Sequence, residues 1–467
     1  MQKNIQFRLN TQDYTITLEK ETLALDWIRN TALLKGTKEG CREGDCGACM
    51  IILGEQREGE PVYRAVTSCT LGLSDLDGKH AITIEGIAAD GLTPVMQAFL
   101  ENGASQCGFC SPGFIIALTA MFIEGGPIDY HRALVAIEGN LCRCTGYGSI
   151  RRAAQKLAQQ FPTLPAVFED RLAFLAESHI LPSSLAQAMR RLPEPVQEPI
   201  PATKILGGGT DFFVQHPDPD DALSPHYSDL EPDAHRIFQK DNSVIIGSAL
   251  TMREFFSSSI IRRIAPGIEA FEACIASLPI RNRATLAGNI GNASPIADMT
   301  TVLLALGAEL ILEKPDGSKR TIALEHAFIG YKKLAFENNE RIASIILPAN
   351  QVRISFEKVS KRERLDIATI NTACVVQENT EGIIITARLA LGGVAPVPIV
   401  VQDASRLLQN KKPEPALIRT LAQSAQDLSA PISDVRGTAE YRKRLVYRLI
   451  LAHAVRLWPQ MEEELLP

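Results

Sequence analysis

The stretch CREGDCGAC, residues 41–49, decides how the N-terminal part of this chain is read. It spaces three cysteines as C-x4-C-x2-C, and a fourth, Cys69 in TSC, follows at a distance. Three thiolates on one loop, with a fourth arriving from a neighbouring strand, can wrap a [2Fe–2S] cluster. Gly44 and Gly47 let backbone N–H groups approach the sulfides at little steric cost. Structural zinc is the alternative, although zinc sites usually present pairs of short C-x2-C knuckles and this loop is not one.

Working outward, the flanking sequence supplies rigid elements to hold such a loop. Ile5, Phe7 and Leu9, then Tyr14, Ile16 and Leu18, alternate at period two as paired strands, and Leu23–Arg29 reads as a crossing helix. Further strands are expected at 48–53, 62–68 and 81–85. Residues 1–87 are thus expected to form a small β-grasp domain of plant-type ferredoxin pattern.

A second cysteine group follows: Cys107 and Cys110 in QCGFC, and Cys142 and Cys144 in LCRCTGYG. Alone, two such pairs could hold zinc or a cluster. The C-x-C pair is the informative part, because ligands one residue apart between helices can grip one iron of a binuclear site. Helices are expected at Thr93–Asn102, Pro112–Glu124, Tyr130–Glu138 and Ser149–Gln159, with Ser111 as N-cap before Pro112. Residues 88–161 therefore read as a four-helix [2Fe–2S] domain.

Length and composition bound the rest. A chain of 467 residues allows two to four domains, and 45% hydrophobic with 22% charged residues is ordinary for a globular protein. A net charge of −6 gives no reason to expect nucleic acid or an anionic membrane as partner. The N-terminus alternates apolar and polar residues instead of forming a signal-peptide core, so a cytoplasmic location is expected. Eight of the ten cysteines lie between Cys41 and Cys144, which favours metal over a disulfide framework.

Residues 162–181 are expected as a linker, and the proline-rich LPEPVQEPIP lies just beyond. Residues 182–350 mix strands and helices, among them a strand at Ser243–Gly247 and a hairpin of Ala308–Leu312 with Arg320–Ala323 around Pro315-Asp316-Gly317. Here KILGGGTDF, residues 204–212, places three glycines after a short strand, as close approach to a pyrophosphate requires. It lacks G-x-G-x-x-G spacing, so no Rossmann fold is expected. A second polar, glycine-rich stretch is RNRATLAGNIGNASPIAD, residues 281–298. Residues 351–467 carry strands at 354–359, 373–377 and 383–391 and a final helix at Ala439–Leu457.

The pairing of CREGDCGAC with QCGFC and LCRCTGYG resembles the iron–sulfur part of the xanthine dehydrogenase and molybdenum hydroxylase family. The two glycine-rich stretches resemble that family's FAD-binding domain, and residues 351–467 its flavoprotein C-terminal domain, making an α+β multidomain chain. The resemblance implies Cys41, Cys46, Cys49 and Cys69 on one cluster and Cys107, Cys110, Cys142 and Cys144 on the other. It implies Gln106 at the molybdopterin of a partner. For FAD it implies Lys204, Leu206, Gly207, Gly208, Gly209, Thr210, Thr285, Gly288, Asn289, Ser294, Asp298, Ile342 and Lys358, with Tyr331 near a nicotinamide site.

The same resemblance implies the small chain of a split xanthine dehydrogenase. Hypoxanthine and xanthine would be oxidised to urate on a large molybdopterin-binding subunit in an α2β2 assembly. Electrons would pass through two [2Fe–2S] clusters to FAD and then to NAD. No catalytic general base is expected in this chain. The alternatives are the equivalent chain of another molybdenum hydroxylase, acting on aldehydes or N-heterocycles, and a zinc-stabilised scaffold without redox activity.

Overall fold

The computed structural model describes residues 3–57, 59–196, 204–219, 225–227, 233–337, 339–362 and 364–466. The chain divides into two compact units: one takes in the sequence up to Tyr227 together with Ser277–Arg283, and the other takes in the remainder.

The first unit begins with β1 (Lys3–Leu9), β2 (Gln12–Leu18), α1 (Ala24–Asn30), β3 (Met50–Arg57), β4 (Glu60–Thr67) and β5 (His80–Ile82). They form one sheet of order β2-β1-β5-β3-β4, antiparallel except for the β1–β5 pair. The period-two pattern holds: Ile5, Phe7 and Leu9 are buried, and Phe7 meets Trp27 of α1 edge-on at 5.1 Å. The strands run somewhat differently from expectation, since β3 extends to Arg57 and the segment after Ile82 turns into α2 (Ile84–Ile87).

Helices follow as α3 (Pro94–Glu101), α4 (Ser111–Glu124), α5 (Tyr130–Ala136) and α6 (Gly148–Gln160). Helix α4 is apolar all round because Gly113 to Ile123 are buried on every side. Its N-cap is Cys110, not Ser111 as expected: Ser111 is already helical and its hydroxyl pairs with Ser105 Oγ at 2.9 Å. The stretch expected as a linker holds α7 (Phe168–Glu177), and α8 (Ser183–Ala188) follows it. Leu172, Leu175, Ile180, Leu181 and Leu185 join the same core as α4, so residues 162–181 are packed domain and not a spacer. Prolines mark the approach to α7, but the apolar positions beyond them are what decide the fold. Part of LPEPVQEPIP, residues 197–201, lies outside the described residues. The unit closes with β6 (Lys204–Leu206), α9 (Phe212–Gln215) and β7 (Pro225–Tyr227), β6 and β7 pairing in parallel.

Among its described residues the second unit has two larger antiparallel sheets and one two-stranded hairpin. One uses β8 (Ile237–Lys240), β9 (Ser243–Gly247), β10 (Glu309–Glu313), β11 (Lys319–Ala323) and, after a short β12–β13 hairpin (Phe328–Gly330, Lys333–Leu334), β14 (Arg341–Pro348), in the order β11-β10-β14-β9-β8. The expected β10–β11 hairpin is present, with Gly317 at φ 83° and Asp316 Oδ1 accepting from Ser318 N–H at 2.9 Å. The other sheet is β15 (Arg353–Val359), β16 (Ile370–Glu378), β17 (Ile384–Gly392) and β18 (Ile399–Val400) in sequence order. The helices Pro415–Leu428 and Ala439–Leu457 share its core, the latter with the bounds expected from sequence. Among the described residues no helix is long and apolar enough to cross a membrane.

Candidate iron–sulfur and flavin sites

The first sulfur quartet sits on the loop between α1 and β3 and on the turn after β4. Three loop residues take left-handed φ: Arg42 (57°), Gly44 (77°) and Gly47 (66°). Arg42 is held there by ion pairs to Asp26 at 2.6 Å and Glu39 at 3.0 Å. Gly47 tolerates no side chain, because a Cβ would lie 2.5 Å from Gly139 O. Cys49 and Cys69 pack with Leu25, and Ser68 Oγ donates to Cys49 O at 2.7 Å, fixing the turn that presents Cys69.

All four cysteines are free of disulfides, and their thiols lie within hydrogen-bonding reach of one another. Hydrogen bonds with Cys46 and Cys69 hold Cys41 below the ordinary thiol range, and one with Cys69 lowers Cys49. Cys46 and Cys69 are pushed up in turn. Backbone donors point the same way: Glu43 N–H reaches Cys41 Sγ at 3.3 Å and Cys41 N–H reaches Cys46 Sγ at 3.4 Å. Mutually adjacent sulfurs and converging N–H groups are the donor set that an iron–sulfur cluster needs.

The second quartet lies at two helix starts. Cys107 and Cys110 precede α4; Cys142 and Cys144 precede α6, where Gly146 and Tyr147 both turn left-handed. Cys144 Sγ lies 3.5 Å from Cys107 Sγ. Burial works against a Cys142 thiolate, but hydrogen bonds from Thr145, one of them its hydroxyl at 3.2 Å, outweigh that and lower its pKa. Burial pushes Cys110 up to about 12. Tyr147 OH accepts from Cys142 N–H at 3.1 Å, a bond that no sequence motif announces. Cys107, Cys144 and Gln106 are exposed. Among the described residues no group of three or more His, Cys, Asp or Glu side chains has the geometry of a single-ion site, so the fit to binuclear clusters rests on the two sulfur quartets and their donors.

A direct backbone link joins the quartets. Leu141 N–H donates to Cys46 O at 3.0 Å, so a ligand position of one group and the residue before a ligand of the other share a hydrogen bond. Asn140 Nδ2 reinforces it through Gly47 O at 3.3 Å.

The glycine stretch of KILGGGTDF lies in the first unit, as a turn between β6 and α9. Leu206 and Phe213 pack on Leu23, and Lys204 Nζ lies 4.5 Å from the Phe212 ring centre. Gly209 has φ 70°, and a Cβ there would meet the Phe213 ring at 2.8 Å and lie 3.7 Å from the carbonyl of Thr70, next to Cys69. Arg283, not anticipated from sequence, donates to Gly208 O at 3.1 Å. Gly207 and Thr210 are half-buried in the same turn.

The other expected flavin residues lie in the second unit, and most have structural partners there. Thr285 caps the helix Leu286–Gly291, its Oγ1 accepting from Gly288 N–H at 2.9 Å. Asn289 Oδ1 accepts from Thr300 N–H at 3.0 Å. Ser294 Oγ accepts from Ile296 N–H at 3.4 Å. Asp298 starts the helix Asp298–Ala305 and binds Lys358 Nζ at 2.7 Å and Asn371 Nδ2 at 2.5 Å. Burial raises its pKa despite these donors. Lys358 also donates to Cys274 O at 2.8 Å, while Lys361 and Arg362 close by in sequence are exposed. Ile342 is buried in β14 opposite Leu312, and Tyr331 is 64% exposed. Asn371 is the member of this polar cluster that no motif revealed.

Comparison with known proteins matches four domain models in succession: the 2Fe-2S iron-sulfur cluster binding domain over 7–72, the [2Fe-2S] binding domain over 83–155, the FAD binding domain in molybdopterin dehydrogenase over 175–350, and the CO dehydrogenase flavoprotein C-terminal domain over 355–455. Xanthine dehydrogenase of Emericella nidulans is 27% identical over 94% of this chain, which spans 38% of that relative's length. Nicotinate hydroxylase hnxS of the same organism is 26% identical over 94% of this chain and 39% of its own length. The reconstituted CO dehydrogenase from Oligotropha carboxidovorans has a chain that matches with a TM-score of 0.50 at 26% identity, over 54% of this chain and 88% of that one. Two sulfur quartets, the glycine turn and four matched domains in this order establish that the chain belongs to the molybdenum hydroxylase family and carries its two [2Fe–2S] domains, FAD-binding domain and flavoprotein C-terminal domain.

Proposed function

We propose that this chain carries electrons between a partner bearing molybdopterin, where hypoxanthine and xanthine are oxidised, and NAD. The observation that carries the reading is the Leu141 N–H to Cys46 O bond, which ties the loops that bear the two cysteine quartets to each other within one unit. When bound, [2Fe–2S] clusters carry electrons singly, and FAD exchanges single electrons for the pair that NAD takes.

The chain's residues set geometry and potential. The eight cysteines from Cys41 to Cys144 would ligate iron, and the backbone N–H groups around Cys41 and Cys46 would stabilise negative charge on sulfur. Lys204, Leu206–Thr210, Thr285, Gly288, Asn289, Ser294, Asp298, Ile342 and Lys358 would hold FAD, and Tyr331 would lie near nicotinamide. Exposed Cys107, Cys144 and Gln106, with Phe109 and Leu141 beside them, would face the partner in an α2β2 assembly. Ten free cysteines fit a reducing, cytoplasmic setting.

A second reading, in which the partner hydroxylates an N-heterocycle, is favoured by the resemblance to nicotinate hydroxylase at nearly the same identity. Purification from the native host tests both. Co-purification of a molybdenum-containing chain with xanthine-dependent NAD reduction is the expected result. Nicotinate turnover without xanthine turnover moves the assignment to the second reading, and the absence of any molybdenum partner contradicts both.

A further inference from the structure

A buried chain of alternating charges in the first unit ends on the glycine turn. Arg283, with 8% of its side chain exposed, pairs with Asp75, which is 2% exposed. Asp75 also accepts from Lys79 Nζ at 2.7 Å, Lys79 lies 3.5 Å from Glu55 of β3, and Glu55 pairs with Arg57 at 2.7 Å. Buried charges are costly unless each has an opposite neighbour, and here every member has one. Two nitrogens of Arg283 also converge on one backbone atom: Nε and Nη2 reach Gly208 O at 3.3 and 3.1 Å.

That carbonyl controls the next amide. The chain has no cis peptide bond among its described residues, so Gly208 C=O and Gly209 N–H point to opposite sides of one peptide plane. Holding the carbonyl towards Arg283 turns the Gly209 N–H away from it. Gly209 O accepts from Phe213 N–H at 3.0 Å, whereas among the described residues the Gly209 N–H meets no backbone acceptor. A buried amide without a partner is costly unless a ligand supplies one.

We infer that Arg283 is a positioning residue for the flavin. By fixing the Gly208 carbonyl it presents the Gly209 amide as a preformed donor to a pyrophosphate, and through Asp75 and Lys79 it anchors that donor to the β-grasp sheet. The inference rests on the reading of Leu206–Thr210 as part of the FAD site. A donor fixed beforehand loses less entropy when an anion binds, so its loss weakens binding without removing any direct contact.

The test uses the full chain with Arg283→Lys, which keeps the charge opposite Asp75 but cannot offer the two-nitrogen grip. Iron content, amide exchange of the segment 206–213 and the FAD dissociation constant after flavin removal and re-addition are measured on one preparation. Unchanged iron, faster exchange in this segment and FAD binding weaker by about tenfold are expected. Unchanged exchange overturns the positioning role. Faster exchange with unaltered FAD affinity shows instead that the turn is not the flavin site, and the reading beneath the inference fails. Should Arg283→Lys lose iron, the pair Asp75→Leu with Arg283→Met removes both charges together and is held to the same outcomes.

Discussion

A methyl group at residue 47 has nowhere to go. It would stand 2.5 Å from both Gly139 O and Asn140 Nδ2, on a backbone at φ 66° that L-residues rarely adopt. Gly47→Ala should therefore cost about 2 kcal/mol or more and pull the seam between the two cysteine groups apart. The expected outcome is a lower melting temperature with reduced iron per chain. Full iron at unchanged stability contradicts the tight approach. At this scale the cysteines were legible because ligand spacing is a local property of the chain. Arg283 was not, because its partners lie 208 and 75 residues away and nothing in RNRATLAGN marks one arginine as turned inward. Thr285, Asn289 and Asp298 were read as ligand contacts, and their capping and ion-pair roles within the second unit emerge only from the folded geometry.

Between elements, a single imidazole stitches a helix to a sheet. His453, on the helix Ala439–Leu457, lies between Ser355 of β15 at 2.8 Å and Thr372 of β16 at 2.7 Å. Burial, aided by Arg456, pushes its pKa down to about 3. A histidine lowered on folding contributes stability above its unfolded value near 6.5, and that contribution is lost as pH falls from there towards 3. The slope should be roughly 1.4 kcal/mol per pH unit. An NMR titration should show the His453 resonance unshifted from pH 8 to 5, and titration near 6.5 contradicts a buried neutral ring. The element pattern itself was largely readable: alternation gave β1 and β2, and the Pro-Asp-Gly turn gave the β10–β11 hairpin. Helix α7 was missed because the proline-rich stretch around residues 162–181 read as a linker, while Leu172 and Leu175 find their partners in the core of α4, far away in sequence.

Across the whole molecule, one unit gathers both sulfur quartets and the glycine turn, and Gly209 stands beside the residue that follows Cys69. The order of domains was legible because each carries its own local motif, whereas the identity of a substrate is written in residues that meet it, and no motif here supplies them. What the account requires of this chain is that its thiols hold iron. Iron, zinc and flavin analysis of protein purified from its native host is the most direct test. About four irons and one FAD per chain, with zinc absent, are predicted, and zinc bound in place of iron would contradict the electron-transfer role at its foundation.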